Sequence, residues 1–237
     1  MTTVALLRAH EDAARSAALL RAHGFEVALA PATLVRPTGA APPPEQFDAV
    51  AATSGKAIAL LAPAARAAIS GLPLYVVGGR AADAAAEAGL PLAQPPAPDV
   101  AALSATLRER LAPQARVLYL AGRDRKPALE AALREAGART TILEVYVAEA
   151  RDAWSESEAL ALAACEAVLH YSRRGAALAV ALAARAGLAE RFGAMAHVCL
   201  SDDVAEPLRE AGWPRLVCAD AAAEARLVAA LGGVLRL

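Results

Sequence analysis

Aromatic residues make up only 4% of this chain of 237 residues. That is too few for the stacking platform on which single-stranded nucleic acid is bound. Net charge is −1 at pH 7, so there is no global basic footprint for a phosphate backbone either. The longest apolar runs fall well short of a membrane span. The first eight residues lack the basic start and long apolar core of a signal peptide. A cytoplasmic, soluble protein is expected, with neither nucleic acid nor membrane as partner. The three cysteines, Cys165, Cys199 and Cys218, are scattered and odd in number, so buried reduced thiols are expected rather than a disulfide framework. His10, His23, His170 and His197 lack metal-ligand spacing, which leaves a metal site unsupported. G-x-x-x-x-G-K-[ST], a post-strand G-x-G-x-x-G and G-x-S-x-G are all missing, so nucleotide binding and a hydrolase triad have no support.

What the chain does have is repetition in permuted order. Asp48-Ala-Val-Ala-Ala-Thr-Ser-Gly-Lys-Ala-Ile-Ala-Leu60 aligns without gaps on Glu166-Ala-Val-Leu-His-Tyr-Ser-Arg-Arg-Gly-Ala-Ala-Leu178. Each copy is an acidic residue, a short apolar run, a polar turn and a helix. Val76–Arg80 leads to Gly89 as Val198–Asp202 leads to Gly212, and Val4–Arg8 leads to Gly24 as Val117–Ala121 leads to Gly137. Gly at these helix ends suits a left-handed cap. Short apolar runs alternating with Ala/Leu helices read as βα units of a parallel sheet. Of the composition, 57% is apolar, much of it Ala, which favours helix but contributes little burial per residue. The expected fold class is α/β, with two similar doubly wound parallel-sheet domains, one inserted in the other. Residues 37–144 form the insert; 1–33 and 147–237 form the host; 34–36 and 145–146 are the crossovers. Two lobes make a cleft, where a ligand would sit. Helices are also expected at about 100–111 and 221–231.

Polar turns close each predicted strand at its C-terminal end. They are Arg8; Thr53, Ser54, Gly55 and Lys56; Gly78, Gly79 and Arg80; Gly122 through Lys126, with Arg123; Ser172, Arg173 and Arg174; and Ser201 with Asp202. Ligands of open α/β sheets bind at that edge, and helix N-termini there favour anions. A ligand with several carboxylates or phosphates fits this set. Ordinary capping explains any single turn equally well; recurrence in both halves favours the functional reading. Tyr146, in Leu143-Glu-Val-Tyr-Val147, lies on the return crossover. Its phenol either offers a proton to a substrate or packs as an amphipathic filler.

These residues resemble the uroporphyrinogen-III synthase family. Thr53-Ser54-Gly55-Lys56-Ala57-Ile58 is similar to its Thr-Ser-Pro-x-Ala-Val turn, and Val77-Gly78 with Ala82 to its Val-Gly-x-x-Thr-Ala turn. Leu118-Tyr-Leu-Ala-Gly-Arg123 with Leu129, Leu133 and Gly137 resembles its third unit, and Tyr146 falls at its crossover tyrosine. The resemblance implies flavodoxin-like domains and an enzyme that works without metal or organic cofactor. The implied substrate is hydroxymethylbilane, a linear tetrapyrrole with eight carboxylates, closed to uroporphyrinogen III with inversion of ring D and loss of water. It implies Tyr146 as the acid and Thr53, Ser54, Lys56 and Ser172 as carboxylate grips. A monomer with transient contact to hydroxymethylbilane synthase is expected. The chain departs from the family pattern at Ala81 and Val204, where threonines are usual, at Ser201-Asp202 for Gly-Pro, and at Gly55 for Pro. A two-lobed, non-catalytic binder of a tetrapyrrole or other polyanion is the alternative.

Overall fold

The computed structural model describes residues 2–235, apart from the side chain of Glu11. In chain order the first elements are β1 (Thr3–Leu6), α1 (His10–Ala22), β2 (Glu26–Leu29) and β3 (Thr33–Pro37). Next come β4 (Ala49–Ala52), α2 (Gly55–Ala59), α3 (Pro63–Ile69), β5 (Leu74–Val76), α4 (Gly79–Glu87) and α5 (Val100–Arg110). They are followed by β6 (Arg116–Gly122), α6 (Ala128–Glu135), β7 (Arg139–Ala150), α7 (Glu156–Ala163) and β8 (Ala167–His170). The chain continues through α8 (Arg173–Arg185), α9 (Ala189–Ala194), β9 (Ala196–Cys199), α10 (Asp202–Glu210), β10 (Leu216–Cys218) and α11 (Glu224–Leu235).

The fold divides into two compact units, one of Met1–Leu34 with Glu149–Leu237, the other Val35–Ala148. In the first, a five-stranded sheet has the order β10-β9-β8-β1-β2, and every pair in it is parallel. In the second the order is β3-β7-β6-β4-β5, with β7/β6, β6/β4 and β4/β5 parallel. Parallel strands are covered on both faces, so they read as continuous apolar runs. The side-chain period of two divides those runs between two cores. Along β6, Val117, Tyr119 and Ala121 face one core and Leu118 and Leu120 the other. Along β8, Ala167 and Leu169 oppose Val168 in the same way.

The permuted repeat is visible residue by residue. β4 and β8 occupy equivalent stretches of the two aligned segments, and α2 and α8 begin at equivalent residues, Gly55 and Arg173. Their lengths differ because Pro63 opens a separate helix at its first turn, where a missing N–H costs nothing, whereas α8 runs on to Arg185. Gly24, Gly89, Gly137 and Gly212 all take positive φ, between 69° and 84°, the left-handed caps expected of them. The helix expected at 100–111 is α5, with the Asp99 carboxylate accepting the Ala102 N–H at 2.8 Å. The helix expected at 221–231 starts later, at Glu224. Asp220 is held instead by the Arg226 guanidinium, and the intervening residues form bends.

Candidate active site

In the second unit, β6 connects through α6 to β7 on one side, and β4 through α2 and α3 to β5 on the other. The chain therefore leaves β6 and β4 in opposite directions, and such a switch point opens a crevice beyond the strand ends. A pocket of about 310 Å³ lies there, lined by Thr53, Ser54, Tyr119, Gly122, Lys126 and Tyr146 among others. It is built wholly from this unit.

Each polar side chain has a local cause. The pairing of β6 with β7 shifts register between Ala121 and Gly122, so that Ala121 faces Glu144 but Gly122 faces Tyr146. The irregularity re-aims the residue that follows it. The Tyr146 ring then lies on Gly122: a Cβ at that glycine would stand 2.5 Å from the ring Cζ and 2.8 Å from the phenol oxygen. Only glycine admits the ring. The Arg123 N–H donates to the Tyr146 carbonyl at 2.9 Å, fixing the backbone on both sides of the contact.

Tyr119, on the strand beside it, is 2% exposed and lies 2.9 Å, oxygen to oxygen, from Thr53 Oγ1. Burial pushes the Tyr119 phenol above its ordinary value, against the lowering effect of the Thr53 bond, so it stays protonated. Ser54 is the residue before α2, yet its hydroxyl makes no capping bond. Gly55 has its own reason to lack a side chain: a Cβ there would stand 2.6 Å from the Arg80 carbonyl oxygen. It thereby lets the turn after β4 approach the one after β5. Gly78 takes φ 78° ahead of α4, and its N–H donates to the Ala97 carbonyl at 2.8 Å.

The loop from Gly122 to Lys126 is wound around Arg125. Its Nε donates to Glu130 at 2.7 Å and its Nη1 to Glu144 at 3.2 Å, with the Arg123 carbonyl 3.2 Å away. The Glu130 bond first, with Glu144 adding to it, raises the guanidinium further against the cost of burial. Glu144 also accepts from Arg123 Nε at 3.1 Å. Arg123 and then Arg125, outweighing burial, hold that carboxyl below its usual range. Arg123, exposed and paired with Glu144, is not among the residues that line the pocket, while exposed Lys126 is.

At the equivalent switch point of the first unit, between β1 and β8, side chains of that unit engage one another. Arg8 Nη1 donates to Ser16 Oγ at 2.9 Å and to Glu224 at 3.1 Å, and its guanidinium lies 4.2 Å from the centre of the Tyr171 ring. Ser16 also donates to Glu224. Burial pushes the Tyr171 phenol up to about 12. Ser172 caps α8 by accepting the Gly175 N–H at 3.1 Å. Arg173 pairs with Glu206 at 2.6 Å and Asp203 at 3.3 Å, and Asp202 pairs with Arg209 at 2.5 Å. Both aspartates that follow Ser201 therefore have a cation at hand. The Ser201 hydroxyl makes no capping bond. Ala81 and Val204 are buried in the cores of their units.

Thr53, Ser54 and Tyr146 are thus brought together in one pocket, with Gly122 and Lys126 of the following turn. Arg8 and Arg173 are engaged with partners in the first unit. Sequence reasoning passed over Tyr119 as a strand residue. It lies in mid-strand on the core-facing side it shares with Val117 and Ala121, so no local signal marked it. Among the described residues, no group of His, Cys, Asp and Glu is arranged to hold a metal ion, and no helix is long and apolar enough to cross a membrane.

Residues 14–229 match the family model described as uroporphyrinogen-III synthase HemD. The chain is similar in fold to uroporphyrinogen-III synthetase from Helicobacter pylori, with a TM-score of 0.65, 17% identity and 100% of each chain covered. It is also similar to a mutant uroporphyrinogen III synthase from the extremely thermophilic bacterium Thermus thermophilus, with a TM-score of 0.50, 23% identity, and 100% of this chain and 98% of that one covered. A search of curated proteins finds no match.

Proposed function

The chain belongs to the uroporphyrinogen-III synthase family, an enzyme family of cyclising lyases, and from that premise we propose that it takes hydroxymethylbilane as substrate and that the pocket of the second unit is where the reaction starts. The observation that carries this reading is the convergence of the Tyr146 phenol, the Thr53 and Ser54 hydroxyls and Lys126 around one pocket at a switch point. At about 310 Å³ the pocket suits one substituted pyrrole rather than a whole tetrapyrrole. We assign it to the end of the chain that carries the hydroxymethyl group.

The chemistry follows from what those groups hold. The Tyr146 phenol has one proton to give. Donated to the departing hydroxyl, it lets that group leave as water, with the C–O bond electrons going to oxygen and an azafulvene cation left behind. The azafulvene methylene bonds to the ring D carbon that carries the bridge from ring C, giving a spiro-pyrrolenine. That old bridge bond then breaks, and the freed bridge carbon bonds to the other α-carbon of ring D, which inverts the ring. The proton displaced from that carbon returns to the Tyr146 phenolate, so that one water is the net product besides the macrocycle. Thr53, Ser54 and Lys56 are assigned as grips on carboxylates. Lys126 adds charge at the same edge. Gly122 acts through Tyr146, because the phenol can occupy its position only above a residue without a side chain. Holding a floppy chain in one fold contributes much of the selectivity, since orientation alone supplies large effective concentrations.

The test is carbon labelling. Hydroxymethylbilane carrying ¹³C in its hydroxymethyl carbon is turned over and the product examined by NMR. The expected result is label in the bridge joining ring A to an inverted ring D. Label next to an uninverted ring D, at the rate seen without protein, would refute the assignment.

A further inference from the structure

We infer that Tyr119 is a positioning residue for the carboxylate grip of Thr53, an inference that rests on the function proposed above. The observations are a buried phenol, a single hydroxyl partner and a pocket that both residues border. Tyr119 is 2% exposed, and its oxygen lies 2.9 Å from Thr53 Oγ1. Either oxygen could donate, and burial decides between them. A neutral phenol carries one proton, and leaving that proton unpaired in a buried place costs more than the bond returns. Among the described residues, Thr53 is the partner the structure gives it. Tyr119 therefore donates and Thr53 accepts.

The consequence falls on the other side of the threonine. A hydroxyl has one proton and rotates to suit its neighbours. With its lone pair engaged by Tyr119, the Thr53 proton turns away from the sheet. Thr53 is half-buried and lines the pocket, so the proton is presented where an anionic group of the substrate sits. Without Tyr119 the same hydroxyl rotates freely. It can then point its lone pairs, rather than its proton, at a carboxylate.

Tyr119 borders the same pocket, but its phenol oxygen is engaged by Thr53; it acts by setting the direction of the group that grips the substrate. The signature is therefore in binding rather than turnover. Losing an interaction made equally in ground and transition states raises KM and leaves kcat. Tyr119→Phe keeps the ring and the packing, and is expected to raise KM for hydroxymethylbilane about three- to tenfold, the range of one hydrogen bond. Thr53→Val is expected to raise it at least as much. The double variant Tyr119→Phe/Thr53→Val is expected to be no worse than Thr53→Val alone, because Tyr119 acts only through Thr53; neighbours that act as one unit give such non-additive cycles. Thr53→Ser, which keeps the hydroxyl, is expected to recover most of what Thr53→Val loses. Unfolding midpoints of all four variants are measured alongside, so that a variant that folds poorly is recognised and the cycle is read from the others.

An unchanged KM in folded Tyr119→Phe, or KM effects of the two single changes that multiply in the double variant, would overturn the inference. So would a fall in kcat at constant KM. If the unmodified protein itself forms no isomer III, the failure lies in the function proposed above and not in Tyr119, and the two are told apart in the same assay.

Discussion

Acidification should unfold the first unit from its interior, through a pair of buried histidines. His170, at the end of β8, and His197, on β9, are 3% and 0% exposed. Their rings are joined at 3.0 Å from Nε2 to Nδ1, and His197 Nε2 lies 2.8 Å from the Phe192 carbonyl oxygen. A carbonyl accepts, so His197 donates from Nε2 and leaves Nδ1 to accept from His170. The link between the rings is lost when both are protonated, since two N–H groups then face each other, and burial opposes charging either ring. Burial, with Arg215 adding to it and the Phe192 bond opposing it, lowers His197 to about 4. Burial and then the charge of its partner lower His170 well below the ordinary value.

The sign follows from proton counts. Between the folded and unfolded values the unfolded chain binds more protons, so stability falls as pH falls. The contribution is complete above about 6.5, the ordinary histidine value, and is lost as pH drops toward the folded value. For His197 alone, linkage between 6.5 and about 4 removes about 2 kcal/mol from pH 7 to pH 5, and about 3 kcal/mol by pH 4. His170 adds to this in the same direction. The chain has two tryptophans, Trp154 and Trp213, and both lie in the first unit. Trp213 stacks on His197 with ring centres 4.6 Å apart. Urea unfolding followed by tryptophan fluorescence at pH 7, 6 and 5 therefore reports the right unit. The stability of the double variant His170→Leu/His197→Phe should be nearly flat over that window, whatever its absolute value. Equal stability of the unmodified protein at pH 7 and pH 5, or the same fall in the double variant, would refute the reasoning.

Other outcomes follow from the same structure. Tyr146→Phe should lower kcat by on the order of 10²-fold, as loss of a general acid does, while thermal unfolding stays unchanged; full activity would remove the phenol from the mechanism. Gly122→Ala should displace the Tyr146 ring and reproduce most of that loss, with a stability cost of about 1–3 kcal/mol from overpacking; wild-type kinetics would show that the ring tolerates a Cβ. Glu224→Ala strips Arg8, Arg15 and Ser16 of their shared partner and should cost about 1–3 kcal/mol, read by tryptophan fluorescence, with no change in KM. Glu158, held at about 2 by Arg151 against the opposing effect of burial, keeps its stabilising contribution above about pH 4.5 and loses it as pH falls toward 2; Arg151→Gln should abolish that acid limb.

Much of the α/β architecture could be read from residue order, because its causes are local. A parallel strand buried on both faces has to be a short apolar run, and a helix that ends in a left-handed cap has to end on glycine. Gly24, Gly89, Gly137 and Gly212 marked four helix ends for that reason. The candidate site was legible only in part. Thr53 and Ser54 follow the end of β4, where periodicity points, whereas Tyr146, expected on the return crossover, lies within β7. Tyr119 lies inside a strand, and nothing local separates a packed tyrosine from one that meets a threonine across a sheet. The commitments of Arg8 to Glu224 and of Arg173 to Glu206 depend on residues far away in the chain. A turn rich in cations looks the same whether its partner is a ligand or a distant glutamate. Gly122 was legible as a turn residue, but its reason, the ring above it, required the register shift between β6 and β7.

Product isomer composition tests the central claim most directly. The protein is coupled to hydroxymethylbilane synthase and porphobilinogen, the products are oxidised, and uroporphyrins I and III are separated. The account predicts a large excess of isomer III over a protein-free control. Isomer I alone, from a sample whose fluorescence shows it folded, would contradict it.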